Sequence, residues 1–345
     1  MQKTVFIVDD NDTNLSTAKS ALKDYYRVMS MPSAAKLFTL IEKVTPDIIL
    51  LDIEMPEVDG FEALALLKAN EKFANIPVIF LTSINDAEVE ARGFDAGVID
   101  FITKPFSKPV LVNRIKSHLE IDSVIRERTA TIEEKTKELQ KLKDGIVYVL
   151  AEMVESRDKF SEGHIVRTAG YLRILLHAMA EEGLYTDEFE KNDSLESIVS
   201  ASRLHDVGKI TISDIVLNRV GDPLDSNSKQ MRIHCKAGEN VIDQIVQRTG
   251  AIRFLDNARL FAGSHHERWD GEGYPRKLQG TDIPWQGRVM AIVDTYDMHV
   301  TGRLSGEPIT HEEAVELIKA NSGLEFEPAI VDIFLKVHEQ FKATA

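Results

Sequence analysis

The chain has 345 residues and a formal net charge of −15. This length predicts two domains, each long enough to bury its own core. The negative charge argues against nucleic acid as the main partner, because binding to a phosphate backbone needs concentrated Lys and Arg.

The chain also carries signs of its compartment. A single cysteine, Cys235, excludes an intrachain disulfide, which fits a reducing environment. No apolar run approaches the roughly 20 residues that a membrane-spanning helix needs. We therefore expect a cytoplasmic protein with no membrane span.

Short apolar runs alternate with amphipathic segments in the first part of the chain, residues 1–119. The runs cover residues 5–8, 27–30, 47–51, 78–81 and 98–102. This alternation predicts an α/β domain with a doubly wound, five-stranded parallel sheet. In such a sheet, the residues that follow the strands meet at one edge, where ligands bind.

The residues at that edge are chemically distinctive: Asp9, Asp10, Asp52, Thr82 and Lys104. Three carboxylates packed together repel one another. We expect them to hold Mg²⁺, with one carboxylate accepting a phosphoryl group. The alternative is a set of solvated acids at the strand ends with no ligand.

The motifs around these residues are Val8-Asp9-Asp10, Asp52-Ile53-Glu54-Met55-Pro56, Leu81-Thr82-Ser83 and Lys104-Pro105-Phe106. Together they resemble the response-regulator receiver domain. The resemblance implies a phosphoacceptor at Asp52, Mg²⁺ beside Asp9 and Asp10, a hydroxyl at Thr82 that follows the phosphoryl group, its charge partner at Lys104 and an aromatic switch at Phe101. It also implies a cognate sensor histidine kinase as partner. A receiver that is never phosphorylated is the alternative within this family.

Residues 120–157 are predicted to form a helical connector, because they contain no proline and one glycine, Gly145. One heptad position holds Ile125, Ile132, Leu139, Ile146 and Met153, and the other holds Ile121, Arg128, Lys135, Leu142 and Val149. This pattern predicts a short, adjustable parallel coiled coil and therefore a homodimer. An exposed spacer that packs on its own domain is the alternative.

The second domain, residues 145–345, has apolar positions at a period near 3.6 and is predicted to be all helical. Its candidate metal ligands are His164, His205, Asp206, His234, His265, His266 and Asp294. Several imidazoles with two carboxylates suit Fe, Mn, Ni or Zn better than Mg or Ca. The remaining histidines, His177, His299, His311 and His338, are assigned no role, because a lone histidine is more often structural.

Two motifs anchor this domain: His205-Asp206-x-Gly208-Lys209 and His265-His266-Glu267-x-x-Asp270-Gly271-x-Gly273-Tyr274-Pro275. They resemble the signatures of the HD-GYP family, a subset of the HD phosphohydrolases. The resemblance implies a metal-dependent phosphodiesterase that hydrolyses cyclic di-GMP to the linear dinucleotide, with a further step to GMP left open.

The resemblance further implies a role for each ligand. Asp206 would bridge two ions, one held by His164, His205 and Asp294 and the other by His234, His265 and His266. Lys209 would stabilise charge on the phosphate, although a surface salt bridge is the alternative. The substrate would contact Arg303, Tyr274 and Asp297.

Three departures from the family pattern bear on the substrate. Phe160 replaces an acidic ligand for a third ion, which favours two ions. Gly306 stands where a cation is common, and Gly221-Asp222-Pro223 replaces a more usual turn. A related substrate such as a cyclic GMP-AMP, another phosphoester, or a weak or inactive module that binds a nucleotide or a partner therefore remains open.

The loop of residues 271–275 has two interpretations. Its glycines and proline would stiffen a turn that fixes His265 and His266. Alternatively, Tyr274 and Trp269 would contact a partner, for which the resemblance suggests a protein with a diguanylate cyclase domain.

Overall fold

A computed structural model describes residues 2–83, 87–158, 162–192, 194–217, 229–303 and 307–344. The chain forms two compact units, Met1–Thr136 and Lys137–Ala345. The first unit carries a β-sheet and the second is helical. This arrangement confirms the predicted fold class.

The first unit is built on five parallel strands: β1 Thr4–Val8, β2 Arg27–Met31, β3 Ile48–Asp52, β4 Val78–Thr82 and β5 Asp100–Thr103. Their order across the sheet is β2-β1-β3-β4-β5. Strands β1, β3 and β4 are buried along their whole length, which explains why they appear in the sequence as uninterrupted apolar runs.

The helices of this unit are α1 Asp12–Leu22, α2 Ala34–Ile41, α3 Gly60–Ala69 and α4 Ala87–Asp95. An apolar cluster lies on each side of the sheet: one includes Phe6 and Phe80, the other Ile7 and Ile79. Successive residues of a strand point to opposite faces, so these neighbouring positions feed two different clusters. The sheet is therefore covered on both faces, and its carboxyl edge is left to carry polar groups.

Helix α5, Lys108–Glu155, runs for 48 residues. It begins before the predicted connector because the last helix of the first unit continues without a break. Pro109 lies in the first turn, where a missing N–H is tolerated. The boundary between the two compact units falls within α5, and the predicted limits of the connector, 120–157, stay a prediction.

The second unit contains α6 His164–Glu181, α7 Thr186–Glu190, α8 Leu195–Ser202, α9 Asp214–Leu217, α10 Lys229–Thr249, α11 Arg253–Ser264, α12 Trp285–Val300, α13 His311–Ala320 and α14 Pro328–Lys342. Two 3-10 helices, Val207–Thr211 and Gly280–Asp282, join them. One core cluster includes residues of α6, α8, α11, α12 and α14. Across the described parts of the chain, no helix has the length and apolarity needed to cross a membrane.

Candidate metal centre

Polar residues meet at the carboxyl edge of the sheet in the first unit. Asp9 and Asp52 are buried, whereas Asp10 is exposed, and one oxygen of each lies within 4.8 Å of the others. Lys104 Nζ lies 2.8 Å from Asp9 Oδ2 and 2.6 Å from Asp52 Oδ2. Thr82 ends the neighbouring strand β4. The structure thus brings the predicted phosphoacceptor residues together.

Burial and neighbouring charges shift the pKa values of Asp52 and Lys104 at this edge. Burial raises the pKa of the Asp52 carboxyl, and the hydrogen bond from Lys104 only partly opposes the rise. Burial alone would lower the pKa of Lys104, but its contacts with Asp52 and Asp9 raise the pKa overall. Lys104 therefore stays a cation that neutralises two neighbouring carboxylates.

Phe101 lies in β5 with its ring buried. The ring packs edge-on against Phe80 at 5.7 Å and Phe94 at 5.1 Å between centroids. A β-carbon at residue 93 would overlap it, so Gly93 leaves the space that the ring fills. Phe101 is thus held in an inward position next to α4.

The second unit gathers two groups of metal-ligating side chains. The first group is His164, His205 and Asp294; the second is His234, Cys235, His265 and His266. Within each group the ligand atoms lie within 4.8 Å of one another. The residues come from the start of α6, the segment that follows α8, helix α10, the end of α11 and the middle of α12. Five segments of the chain therefore converge on one place.

Asp206 lies between the two groups. Its Oδ2 is 3.6 Å from His205 Nε2 in the first group. Its Oδ1 is 3.4 Å from His234 Nε2 and 3.8 Å from His265 Nε2 in the second. One carboxylate thus presents one oxygen to each group, which is the arrangement that a bridging ligand needs.

The Nδ1 atoms of four histidines are already engaged. Those of His205, His234 and His265 donate to the backbone carbonyls of Ser202, Met231 and Phe261 at 2.8, 2.7 and 2.9 Å. That of His164 donates to Asp297 Oδ2 at 2.7 Å. Such contacts fix the tautomer and leave Nε2 as the free nitrogen, as they do in metal-ligating histidines.

The free nitrogens face each other. His164 Nε2 is 3.2 Å from His205 Nε2, and His234 Nε2 is 3.2 Å from His265 Nε2. Burial lowers the pKa of His234, and burial together with His205 and His234 lowers that of His265 to about 3. Two neutral imidazoles with engaged Nδ1–H groups then point lone pairs at each other, an arrangement that an ion between them would stabilise.

A carboxylate oxygen in the first group is also short of partners. Asp294 Oδ1 is buried and has no hydrogen-bond partner among the described residues, although it lies 3.4 Å from His164 Nε2. A buried polar atom in this state costs free energy unless something binds it. The donor set therefore fits borderline divalent metal ions.

Close packing of backbone segments positions Asp206. A β-carbon on Gly208 would lie only 1.9 Å from the carbonyl oxygen of His234 and 2.4 Å from the amide nitrogen of Gly238. Residue 208 must therefore be glycine for the 3-10 helix Val207–Thr211 to touch α10. This contact explains physically why the second residue after Asp206 is a glycine.

Three further charged groups surround Asp206. Lys209 Nζ lies 2.5 Å from Asp206 Oδ2 and 3.6 Å from Asp158 Oδ2. Arg303 Nη2 lies 2.8 Å from Asp158 Oδ2 and 3.9 Å from Asp206 Oδ2. Burial would raise the pKa of Asp206, but the ammonium of Lys209 holds it well below its usual range. Asp206 is therefore a permanent anion.

A pocket opens beside these charges. Asp158, Asp206 and Lys209 are among the residues that line it. The cations and carboxylates near Asp206 thus line a small cavity.

Asp297, predicted to contact substrate, is fully buried. Its oxygens accept from His164 Nδ1 at 2.7 Å and from Arg167 Nε at 2.6 Å. Although burial opposes it, these two donors lower the pKa of Asp297. A direct substrate contact would have to break these bonds, whereas the observed contacts orient His164.

The loop at 271–275 is tied to the end of α11. Glu267 accepts from the amide nitrogens of Arg276 at 2.8 Å and Leu278 at 3.0 Å. A β-carbon on Gly273 would collide with the backbone at residues 267 and 268. The Tyr274 ring stacks on His266 with centroids 4.8 Å apart. These contacts favour a loop that fixes the histidines, while its role as a partner contact stays a prediction.

Sequence reasoning missed Cys235. Its thiol is buried and lies 3.5 Å from His234 Nε2, and burial raises its pKa. The only hint in the sequence that Cys235 could be a ligand was its position next to His234. Adjacent residues of a helix normally point in different directions, so this hint was weak. The sequence expectations on Phe160, on residues 218–223 and on residues 304–306 lie outside the described residues.

Comparison with known proteins identifies both units. The response regulator receiver domain family matches residues 5–116, and the HD domain family matches residues 148–330.

Among relatives, the Vibrio cholerae protein named "Probable cyclic di-GMP phosphodiesterase" is 34% identical over 99% of this chain and 79% of its own length. The cyclic di-GMP phosphodiesterase response regulator RpfG of Xanthomonas campestris is 27% identical over 98% of this chain and 88% of its own. The 3'3'-cGAMP-specific phosphodiesterase 2 of Vibrio cholerae is 34% identical over 60% of this chain and 37% of its own. The chain belongs to the family of response regulators in which a receiver domain is followed by an HD domain.

Proposed function

We propose that the second unit is a metal-dependent phosphodiesterase that hydrolyses cyclic di-GMP, and that the receiver domain regulates it. The observation that carries this proposal is the pair of ligand groups on either side of Asp206, in which the Nε2 atoms of His164 and His205, and of His234 and His265, lie 3.2 Å apart. The names of the relatives from Vibrio cholerae and Xanthomonas campestris support the substrate.

His164, His205 and Asp294 would hold one ion, and His234, His265 and His266 the other, with Asp206 contributing to both. Two transition-metal ions, Fe or Mn with Ni or Zn as alternatives, would supply Lewis acidity at the phosphoryl oxygens and a water acidic enough to attack near neutral pH. Asp297 would hold His164 in the ligating tautomer. Tyr274 would form the wall of the site beside His266.

Lys209 and Arg303 would handle the charge of the phosphate. Lys209 Nζ already contacts the carboxylate of Asp206 and lies against the pocket, so a non-bridging phosphate oxygen can replace part of that contact. Arg303 is held by Asp158 and supplies a second cation. Donors fixed in advance at the place where charge develops stabilise a transition state most effectively.

The reaction breaks one P–O3′ bond of the cyclic dinucleotide. Water contributes a hydroxyl to phosphorus and a proton to the departing 3′ oxygen, giving the linear dinucleotide. A second hydrolysis would give GMP. Chromatography of the products over time distinguishes one step from two.

The test uses the purified full chain loaded with Mn²⁺ or with Fe²⁺ under anaerobic conditions. Wild type should convert cyclic di-GMP to the linear product, and Asp206→Asn should not. Asp187→Asn, which removes an exposed carboxylate, is the matched control and should behave as wild type. Absence of turnover of any cyclic dinucleotide by the loaded protein would refute the proposal.

A second candidate substrate is a cyclic GMP-AMP. The relative named 3'3'-cGAMP-specific phosphodiesterase 2 matches this chain over a region that includes 60% of its residues. Comparing kcat/KM for the two cyclic dinucleotides and for simple phosphodiesters decides between these substrates. Tight binding without turnover, unchanged in Asp206→Ala, would instead support a binding module.

For the receiver, we propose that Asp52 accepts a phosphoryl group from a sensor histidine kinase with Mg²⁺ held at Asp9 and Asp10. Lys104 would neutralise the product, and Thr82 and Phe101 would respond to it. Asp52→Ala should abolish the change in hydrolysis that a small-molecule phosphodonor causes. Asp24→Asn, an exposed aspartate of the same unit, should leave the response intact.

We also propose that α5 pairs with α5 of a second copy as a parallel coiled coil. The apolar heptad residues Ile121, Ile125, Ile132, Leu139, Leu142, Ile146, Val149 and Met153 are between 50% and 66% exposed. Their spacings of three, four and seven residues are those of apolar heptad positions, and such a stripe needs a partner with the same repeat. Leu139→Glu should shift the mass measured by light scattering towards the monomer, whereas Gln140→Glu, beside the stripe, should not.

A further inference from the structure

A third group of metal-ligating side chains lies in the second unit, outside the centre around Asp206. It consists of His311 at the start of α13 and His338 and Glu339 in α14. Their ligand atoms lie within 4.8 Å of one another. Neither histidine was expected to bind a metal, because a lone histidine is more often structural.

The three ligand atoms are arranged around one point. His311 Nε2 is 3.0 Å from His338 Nδ1 and 4.0 Å from Glu339 Oε1, and His338 Nδ1 is 3.8 Å from the same oxygen. Ligands at about 2.0–2.2 Å from one ion lie at roughly these separations from each other. Glu339 is mostly exposed, so its carboxylate can adjust without disturbing the core.

A buried phenol orients the first histidine. Tyr296 OH lies 2.7 Å from His311 Nδ1. Because a phenol oxygen can accept as well as donate, Nδ1–H can donate to Tyr296 and leave a lone pair on Nε2. This is the kind of contact that holds a ligating imidazole in place. The His338 ring stacks on His311 with centroids 5.2 Å apart, which limits its rotation.

The local charge favours a cation. Glu339 and Glu312 both lie near His311, and one ammonium, that of Lys342, lies 2.8 Å from Glu312. The neighbourhood therefore has one more carboxylate than ammonium. Since Lys342 is engaged by Glu312, the Glu339 carboxylate is left to face the two imidazoles.

We propose that His311, His338 and Glu339 form an accessory binding site for a divalent transition-metal ion such as Zn²⁺, Cu²⁺ or Ni²⁺. Two imidazole nitrogens and a carboxylate are ligands that these ions prefer, and water would complete the coordination. The ion would join α13 to α14. Through Tyr296 it would also contact α12, the helix that carries Asp294 and Asp297 at the centre around Asp206.

The site differs from the proposed catalytic centre in what it can do. Glu339 is exposed, and all three protein ligands belong to the last part of the chain. An ion here would fasten two helices and would not meet the pocket beside Asp206. Binding at this site is therefore independent of whether the second unit hydrolyses cyclic dinucleotides.

The first test counts bound ions. The full chain is saturated with Zn²⁺, desalted and analysed for its metal-to-protein ratio. His338→Asn and Glu339→Gln should each carry one equivalent less than wild type. His177→Asn, which removes an exposed histidine of α6 outside all these groups, is the matched control and should retain the wild-type ratio. Equal ratios in all four proteins would overturn the proposal.

The second test identifies the ligands and guards against an indirect loss of binding. Electron paramagnetic resonance of the full chain titrated with Cu²⁺ should show, beside the signals of the centre around Asp206, a component with two coupled nitrogens that disappears in His338→Asn. Because Glu339 is exposed, Glu339→Gln should keep the wild-type melting temperature without added metal and show a smaller rise with Zn²⁺ than wild type, since the centre around Asp206 still binds the ion. A signal unchanged in both variants would mean that the three residues form only a hydrogen-bonded cluster.

Discussion

The receiver edge and the centre in the second unit both contain an aspartate in contact with a lysine, and their neighbours tune the aspartates in opposite directions. Asp52 lies 2.6 Å from Lys104, and Asp206 lies 2.5 Å from Lys209. The pKa of Asp52 is raised, mainly by burial and with Asp9 adding to the rise, whereas that of Asp206 is held well below its usual range despite burial. An aspartate in contact with a lysine therefore has a raised pKa at one site and a lowered pKa at the other.

The difference follows from what else surrounds each carboxylate. Asp52 shares its cation with the buried Asp9, so two anions compete for Lys104. Asp206 instead faces imidazoles and lies near a second cation, Arg303. A carboxylate in the first setting is suited to be neutralised by Mg²⁺ and a phosphoryl group. A carboxylate in the second setting is suited to bridge two softer ions.

The largest effects are expected when the central carboxylate of each site is removed in turn. Asp206→Asn should lower kcat/KM for cyclic di-GMP on the order of 10³-fold or more, because both ligand groups lose a shared anion. Phosphorylation of its Asp52 by a small-molecule donor should stay at the wild-type rate.

Asp9→Asn should give the reverse result, with slow Mg²⁺-dependent phosphorylation and hydrolysis by unphosphorylated protein at the wild-type level. Hydrolysis assays and phosphate incorporation measured by mass spectrometry report the two sites separately. Loss of both functions in either variant would show that the two sites are not independent.

The next largest effect concerns Asp297, which orients a ligand without belonging to either group. Asp297→Asn should weaken metal binding by about 10- to 100-fold, since His164 loses the acceptor that fixes its tautomer. Metal affinity is measured by competition with a chelator. Arg173→Gln, which breaks an exposed ion pair with Glu196, is the control and should leave the affinity unchanged. An affinity equal to wild type in Asp297→Asn would contradict the positioning role.

A smaller effect is expected at Cys235, whose sulfur lies beside the second ligand group. Cys235→Ser should shift the preference for Zn²⁺ over Mn²⁺ by about tenfold towards Mn²⁺, because a sulfur atom near the second group favours the softer ion. Loading with Co²⁺ gives a direct readout, since a sulfur-to-cobalt absorption band should be present in wild type and absent in the variant. If the two proteins show the same band and the same preference, the thiol does not contact the ion.

The last prediction concerns the pH dependence of stability in metal-free protein. A fall in pH should have opposite effects on the stability contributions of His265 and Asp52. His265 has a pKa lowered from 6.5 to about 3, so between these values the unfolded chain binds the extra proton. Its contribution to stability is therefore lost as the pH falls below 6.5, by up to about 1.4 kcal/mol per pH unit. Asp52 has a raised pKa, so its contribution is instead lost as the pH rises above 3.8 and through that raised value.

Hydrogen exchange resolved by peptide measures the two units of the same protein. His265→Asn should flatten the pH dependence of the second unit, and Asp52→Asn should flatten that of the first. Exchange profiles that keep their wild-type pH dependence in both variants would show that these groups do not set it.

The sequence predicted the fold class well because each unit has a simple pattern. The buried strands β1, β3 and β4 are continuous apolar runs, and the helices of the second unit repeat near 3.6 residues. The length of α5 was harder to predict. The helix begins at Lys108 as the last helix of the receiver and continues into the connector. No proline or glycine marks the point where one ends and the other begins.

Candidate ligands were also identified from sequence, since their motifs contain unusual concentrations of histidine and aspartate. Their grouping was recognised through family resemblance, because the partners are far apart in the chain. His164 contacts His205 across 41 positions and Asp297 across 133. No local pattern links residues at such distances, so the position of Asp297 behind His164 became visible only in the folded protein.

The amino-acid pattern was enough to predict the secondary-structure elements and the chemical types of their side chains: a parallel sheet with acids after its strands, and helices carrying imidazoles. These follow from local periodicity and from which side chains can bind metals. Only the tertiary structure decided that Cys235 joins the second ligand group, that Asp297 is a buried acceptor, and that His311 meets His338. The reason is physical, because helix packing sets which side chains from distant segments share one small volume, and neither periodicity nor composition encodes that choice.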